Sequence, residues 1–169
     1  MRKIIAIGGG KFGLGEGPVD ILPLCREIVR LSGKKKPRIL FIPTAGYDRP
    51  ASVEMMRRLF TRRLGCPLEP LYLLKIKSSH AQLRKKILGS DDLLVGGGNT
   101  LMMMLRWKLM GLDKLILEAG RKGKVLCGPS AGAICWFRQG NSDSRKFRNP
   151  QAKLIKVTGL GFKIGRAHV

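Results

Sequence analysis

The stretch GKVLCGPSAGAICWF, Gly123 to Phe137, decides the fold, because it sets a serine between an apolar strand and a helix with glycine on both sides. Gly123 to Cys127 is apolar and β-branched enough for an interior strand, and Ala131 to Phe137 carries helix-compatible residues at core spacing. Between them, Gly128-Pro129-Ser130-Ala131-Gly132 fits the G-x-S-x-G pattern of a nucleophile elbow. In that turn the residues two before and two after the serine come so close that side chains would collide. Gly128 and Gly132 have no side chain to offer.

A serine placed this way holds its Oγ above the edge of a sheet. The N–H of Ala131 points into the same space, where it can donate to the oxyanion of an acyl-transfer intermediate, and the start of a helix adds partial positive charge there. The same residues also read as a tight connection in which Ser130 is a plain N-cap. The order of strand, motif and helix favours the elbow.

A second glycine cluster works outward from the first. Asp91 to Val95 reads as another buried strand, running into Gly96-Gly97-Gly98-Asn99-Thr100 ahead of a helix from Leu101 to Met110. Glycines at the carboxyl end of a strand let backbone amides face a ligand, so Gly97 or Gly98 can supply the second oxyanion donor. Taken alone, the cluster reads equally well as a turn with Asn99 as N-cap. Both loops are expected on one edge of a parallel sheet.

The rest of the chain alternates in the same way. Strands are expected at Arg2 to Ile7, Arg38 to Ile42, Leu68 to Leu74, Leu93 to Val95 and Val125 to Cys127. Helices are expected after Asp20 up to Gly33, after Ser52 up to Gly65, after Ser79, and from Leu112 to Ala119. Strict alternation implies right-handed crossovers and a mostly parallel sheet covered on both faces, a three-layer α/β/α domain. Met102, Met103 and Met104 point to different helix faces and read as filling rather than a metal site. Trp107 and Trp136 read as packing residues.

The chain's motifs, IIAIGGG at the start, VGGGNT in the middle and PSAGAICWF followed by GNSDS, together resemble peptidase family S51 from Met1 to about Phe162. This is the peptidase E group of serine peptidases in the class I glutamine amidotransferase-like fold. The resemblance implies a flavodoxin-like scaffold and a serine hydrolase of short peptides, with cleavage after an N-terminal aspartate in the best-known members. Amidotransferase relatives carry cysteine where this chain has Ser130, which disfavours glutamine hydrolysis. Asp143 falls where the family places its triad acid, and it reads otherwise as an Asx-turn residue in a polar loop. The family's histidine is expected several residues after VTGLG, in a Pro-His-Tyr context that this chain lacks.

Two histidines are present, His80 and His168. His80 lies in SSHAQLRKKIL, a helix capped by Ser79 with Gln82 as box partner, and reads as a surface residue. The last six residues, Ile164 to Val169, back-translate to ATCGGAAGAGCACACGTC, which resembles a sequencing-library adapter. The expectation is therefore one domain over residues 1–163 and an artefactual tail over 164–169. His168 is then not the base, and the chain as written is inactive for want of a complete triad.

The length of 169 residues suits a single domain with a real core. No apolar stretch reaches membrane length and no signal peptide is evident, so no membrane partner and a cytoplasmic location are expected. Cys25, Cys66, Cys127 and Cys135 show no metal spacing and read as buried free thiols, and no cofactor or metal is called for. Gly8 to Gly13 satisfies G-x-G-x-x-G, but neither a helix nor an acidic residue follows in the places a dinucleotide site needs, leaving nucleotide binding as an alternative. The formal charge of +22 raises a polyanion or nucleic-acid role. The lysines and arginines are scattered without a reader motif, which argues for solvated faces and against nucleic acid. A short peptide is the expected partner, and a homodimer is left open.

Overall fold

The structure, a computed structural model, describes residues 3–8, 21–75 and 78–167, of which 163–167 are described for the backbone alone. Eight strands and six α-helices follow in the order β1 (Lys3–Ile7), α1 (Leu22–Ser32), β2 (Ile39–Ile42), α2 (Pro50–Met56), β3 (Leu68–Pro70), α3 (His80–Gly89), β4 (Asp92–Val95), α4 (Thr100–Leu109), α5 (Leu112–Arg121), β5 (Val125–Pro129), α6 (Ala131–Ile134), β6 (Phe137–Ser142), β7 (Ile155–Thr158) and β8 (Lys163–Ala167). The first five strands make one parallel sheet in the order β1-β5-β4-β2-β3.

Side chains alternate across this sheet, so each strand feeds two cores. Leu40, Ile42, Leu93, Val95 and Leu126 pack on one face against Leu83 and Ile87 of α3, Met103 and Trp107 of α4, and Leu115, Ile116 and Ala119 of α5. Ile39, Phe41, Leu94, Val125 and Cys127 pack on the other against Cys25 and Ile28 of α1, Val53 and Met56 of α2, and Phe60. The expected three layers are present. All four cysteines are buried, and burial pushes the Cys127 and Cys135 thiols well above their ordinary range. No helix of the described residues is long and apolar enough to cross a membrane.

Several expected boundaries shift for local reasons. The helix expected after Ser52 begins at Pro50, which fits the first turn because its missing N–H has no partner there anyway. It continues as a π-helical turn over Arg57–Arg63 and ends at Gly65, whose φ is 67°. The third strand stops at Pro70 rather than running to Leu74. Asp48, buried in the loop after β2, draws the N–H groups of Leu73 and Leu74 onto its Oδ2 at 2.8 Å each, and they leave the ladder. The helix after Ser130 is one turn, not the expected run to Phe137. Its last carbonyls converge on Gly159, where a Cβ would overlap Phe137 O and lie 2.8 Å from Cys135 O and 3.0 Å from Ile134 O. Leu160 N–H then takes Cys135 O at 2.8 Å. Phe137 instead opens a second sheet, β7-β6-β8, with β6 antiparallel to β7 and parallel to β8.

Candidate active site

The candidate site stands on the carboxyl edge of the main sheet, where β4 and β5 lie side by side and empty into their two glycine loops. Ser130 has φ 51° and ψ −115°, a region that costs a residue with a Cβ about 1–3 kcal/mol. Its side chain makes no capping hydrogen bond, which removes the plain N-cap reading. The backbone is held instead, with Ser130 N–H on Ile7 O at 3.1 Å and Ser130 O receiving the N–H groups of Ala133 and Ile134 at 2.8 and 2.9 Å.

The flanking glycines are required as the motif predicts, with an addition the motif does not contain. A Cβ on Gly128 would lie 3.0 Å from Gly132 Cα, so the two positions do crowd each other. Both would also overlap the carbonyl oxygen of Val95, the last residue of β4. The elbow is therefore seated on its neighbouring strand, and that strand leads directly into the second loop.

Gly97 closes against the serine. A Cβ there would be 3.3 Å from Ser130 Cβ and 3.8 Å from Ser130 Oγ. Among the described residues, neither the Gly97, the Gly98 nor the Ala131 N–H has a backbone acceptor, whereas Gly96 N–H goes to Ile42 O at 3.0 Å and Asn99 N–H to Ala45 O at 2.8 Å. Gly98, at φ 134°, lets the loop press onto the turn after β2, since a Cβ there would overlap Ala45 O. The one-turn α6 contributes little macrodipole, so any anion stabilisation here rests on individual amides.

Asn99 does more than the capping expected of it. Its Oδ1 accepts Met102 N–H at 3.0 Å, and its Nδ2 donates to Tyr47 Oη at 3.1 Å and Ser144 O at 3.3 Å. The buried Ser142 and Ser144 share a 2.7 Å hydrogen bond, with Ser142 Oγ reaching Thr100 Oγ1 at 3.1 Å and Ser144 Oγ accepting Leu101 N–H at 3.0 Å. Asp143, between them, is exposed and makes no side-chain hydrogen bond among the described residues. Its backbone is thus carried to the start of α4, beside the glycine loop. Tyr47 and Asp48 were not singled out in the sequence, though with Ser130 they are the non-glycine residues of positive φ among those described. Nothing in the letters PTAGYD signals this, because the strain is imposed by partners distant in sequence.

His80, the histidine among the described residues, lies away from Ser130. His80 is exposed at the start of α3, capped as expected by the Ser79–Gln82 box. It lies against Gly111, beyond the far end of α4 and roughly 15 Å along that helix from the glycine loop. His168 and the stretch Gly9 to Gly13 lie outside the described residues. Among the described residues, no group of three or more His, Cys, Asp or Glu is placed to hold a metal ion. At the opposite edge of the sheet, Asp92 is fully buried, and burial pushes its carboxyl up to about 6.

A family model described as peptidase family S51 matches residues 4–165. The uncharacterized peptidase YgaJ of Bacillus subtilis (strain 168) is 38% identical over 165 residues, which is 98% of this chain and 66% of that protein. The uncharacterized peptidase Lmo0363 of Listeria monocytogenes is 35% identical over 118 residues, 68% of this chain and 55% of that protein. The chain therefore spans just under two thirds of one relative and about half of the other. A solved structure from Listeria monocytogenes EGD-e, provisionally assigned to peptidase E, superimposes with a TM-score of 0.65 at 27% identity, covering 84% of this chain and 69% of that one. A peptidase from an acI-B1 actinobacterium shares the fold at a TM-score of 0.65 and 20% identity, over 94% of this chain and 63% of that one.

Proposed function

The chain belongs to peptidase family S51, and from that premise we propose that it carries the nucleophile and oxyanion site of a serine peptidase acting on short peptides. The observation that carries the reading is Ser130 itself. Its backbone is held in a costly conformation, its hydroxyl is not spent on capping, and the amides of Ala131 and Gly97 are left without backbone acceptors beside it.

In this proposal Ser130 Oγ attacks the carbonyl carbon of the scissile peptide bond. The carbonyl oxygen becomes an oxyanion held by the N–H of Ala131 and that of Gly97 or Gly98. Collapse of the tetrahedral intermediate expels the amine and leaves an acyl group on Ser130, which water then releases. The hydroxyl proton goes to a base outside the described residues, an imidazole in the S51 pattern, and is passed to the leaving amine. Asp143 is the proposed acid that orients that imidazole. Its exposed position in this structure is compatible with the role only once a histidine covers it. Substrates with an N-terminal aspartate are the first to try.

The test is release of free amino acid from Asp-Xaa dipeptides and a panel of other short peptides, comparing the chain with Ser130→Ala. Turnover of this panel should depend on Ser130 where an imidazole completes the triad, since oxyanion donors and binding alone supply about 10³–10⁴ over water with or without the serine. Acylation by an activated ester, read as an added acyl mass, separates the two cases, and it is expected in the chain and absent from the alanine variant. Equal acyl incorporation by the two proteins refutes the assignment of Ser130.

A further inference from the structure

We propose that the groove between α4 and the 3-10 turn Ser144–Phe147 binds the part of a short peptide that carries an apolar side chain and a free α-carboxylate. The proposal rests on the peptidase reading above and names the kind of substrate that site takes.

The groove has a volume of about 510 Å³, within the usual range for a small-molecule site. Asn99 and Ser144 form its inner end, and these are the residues that tie the Gly96–Gly98 loop to the Asp143 turn. A ligand lying in it therefore ends within a few residues' length of Ser130, since Gly97 touches that serine and Asn99 is two residues further on.

Its floor is an apolar stripe. Leu101, Leu105 and Leu109 recur at four-residue spacing along α4 and so share one face of the helix. Leu105 is 55% exposed and Leu109 82%, although the inner face of the same helix, Met103 and Trp107, is fully buried. Leaving such a stripe in water has a hydrophobic cost that a bound apolar group would remove.

The rim is cationic, and among the described residues it carries no ion pair. Arg106, Arg145 and Arg148 line the groove, which contains no Asp or Glu. Arg106 is committed to the fold, donating through Nε and Nη2 to Leu73 O at 2.9 and 2.7 Å. Arg145 and Arg148 have no carboxylate within ion-pair distance among the described residues, whereas many other surface cations do, as in Arg84–Glu118 and Arg62–Glu54. Guanidinium forks above an apolar floor fit a carboxylate attached to an aliphatic side chain. A second copy of the chain is a poorer occupant, because each copy carries a formal charge of +22.

The experiment is a calorimetric titration of the Ser130→Ala chain, which cannot consume its ligand, with Ala-Leu, Ala-Leu amide and Ala-Gly at low salt. Ala-Leu is expected to bind about tenfold more tightly than its amide. That preference should fall to within about twofold when Arg145→Ala and Arg148→Ala are combined. Ala-Leu should also exceed Ala-Gly, and Leu105→Ser with Leu109→Ser should close that gap; all four positions tolerate change because they are exposed. Equal binding of acid and amide, a preference that survives loss of both arginines, or no saturable binding up to about 10 mM overturns the proposal. So does self-association, or sedimentation with phosphatidylglycerol vesicles, that depends on Leu105 and Leu109 and is not displaced by Ala-Leu. None of these readings depends on turnover, so failure of the groove and failure of Ser130 as nucleophile are separate results.

Discussion

Replacing Asp92 by Asn is expected to stabilise the chain at neutral pH and to do so less and less as the pH falls. Asp92 opens β4 with no exposed surface, and neither carboxylate oxygen has a hydrogen bond of good geometry among the described residues. Burial is the largest influence on it and raises its pKa from 3.8 to about 6; Asp91 pushes the same way, while the Ser32 hydroxyl, the Val125 amide and Lys124 pull back. The Lys124 ammonium is itself spent on Ser90 O. The folded chain thus holds this proton more tightly than the unfolded one. Its stabilising effect is complete below pH of about 4 and is lost as the pH climbs through 6. A shift of that size corresponds to about 3 kcal/mol at pH 7, of which about 2 kcal/mol is lost between pH 4 and pH 6. Asn keeps the shape without the charge, so the stability gap between variant and parent should widen by that 2 kcal/mol over this range. Urea melts at half-unit pH intervals measure it, and thermal midpoints should separate by a further ~4–8 °C. A gap that stays constant with pH, or narrows as pH rises, refutes the assignment.

Three further outcomes are expected. Gly132→Ala drives a Cβ into the Val95 carbonyl and should lower stability by about 2 kcal/mol or more, read by denaturant melts, together with loss of any Ser130-dependent turnover. Gly97→Ala lacks that backbone clash, its nearest contact being Ser130 Cβ at 3.3 Å, so it should melt within about 1 kcal/mol of the parent while turnover falls by about tenfold or more. Asp48→Ala strands the buried amide of Leu73 and that of Leu74, costing about 2–4 kcal/mol in the same melts, whereas Asp48→Asn, which keeps an acceptor and tolerates positive φ, should recover much of it.

What could be read from the letters follows how local each determinant is. Gly128, Ser130 and Gly132 carry the elbow in five consecutive residues, and the Ser79–Gln82 box and Gly33 at φ 74° mark helix ends within single turns. These need no knowledge of the rest of the chain. The over-long third strand is the converse case. Leu68 to Leu74 has the composition of a strand, and only the distant Asp48 takes the amides that would have continued it. The short α6 likewise depends on Gly159, more than twenty residues downstream, arriving at its last carbonyls. In the site, the glycine loop and the serine were legible as motifs. The seat on Val95 and the fastening of Tyr47, Asn99 and Ser144 were not, because each joins segments that only the parallel sheet brings to one edge.

The hydrogen bonds of Asn99 have a practical corollary for anyone redesigning this scaffold. One amide side chain fastens three separate loops, so a library that randomises it would mostly sample broken proteins, whichever chemistry is selected. Diversity belongs on the exposed Leu105, Leu109, Arg145 and Arg148 of the neighbouring helix and turn, which can be exchanged while the clasp behind them stays shut.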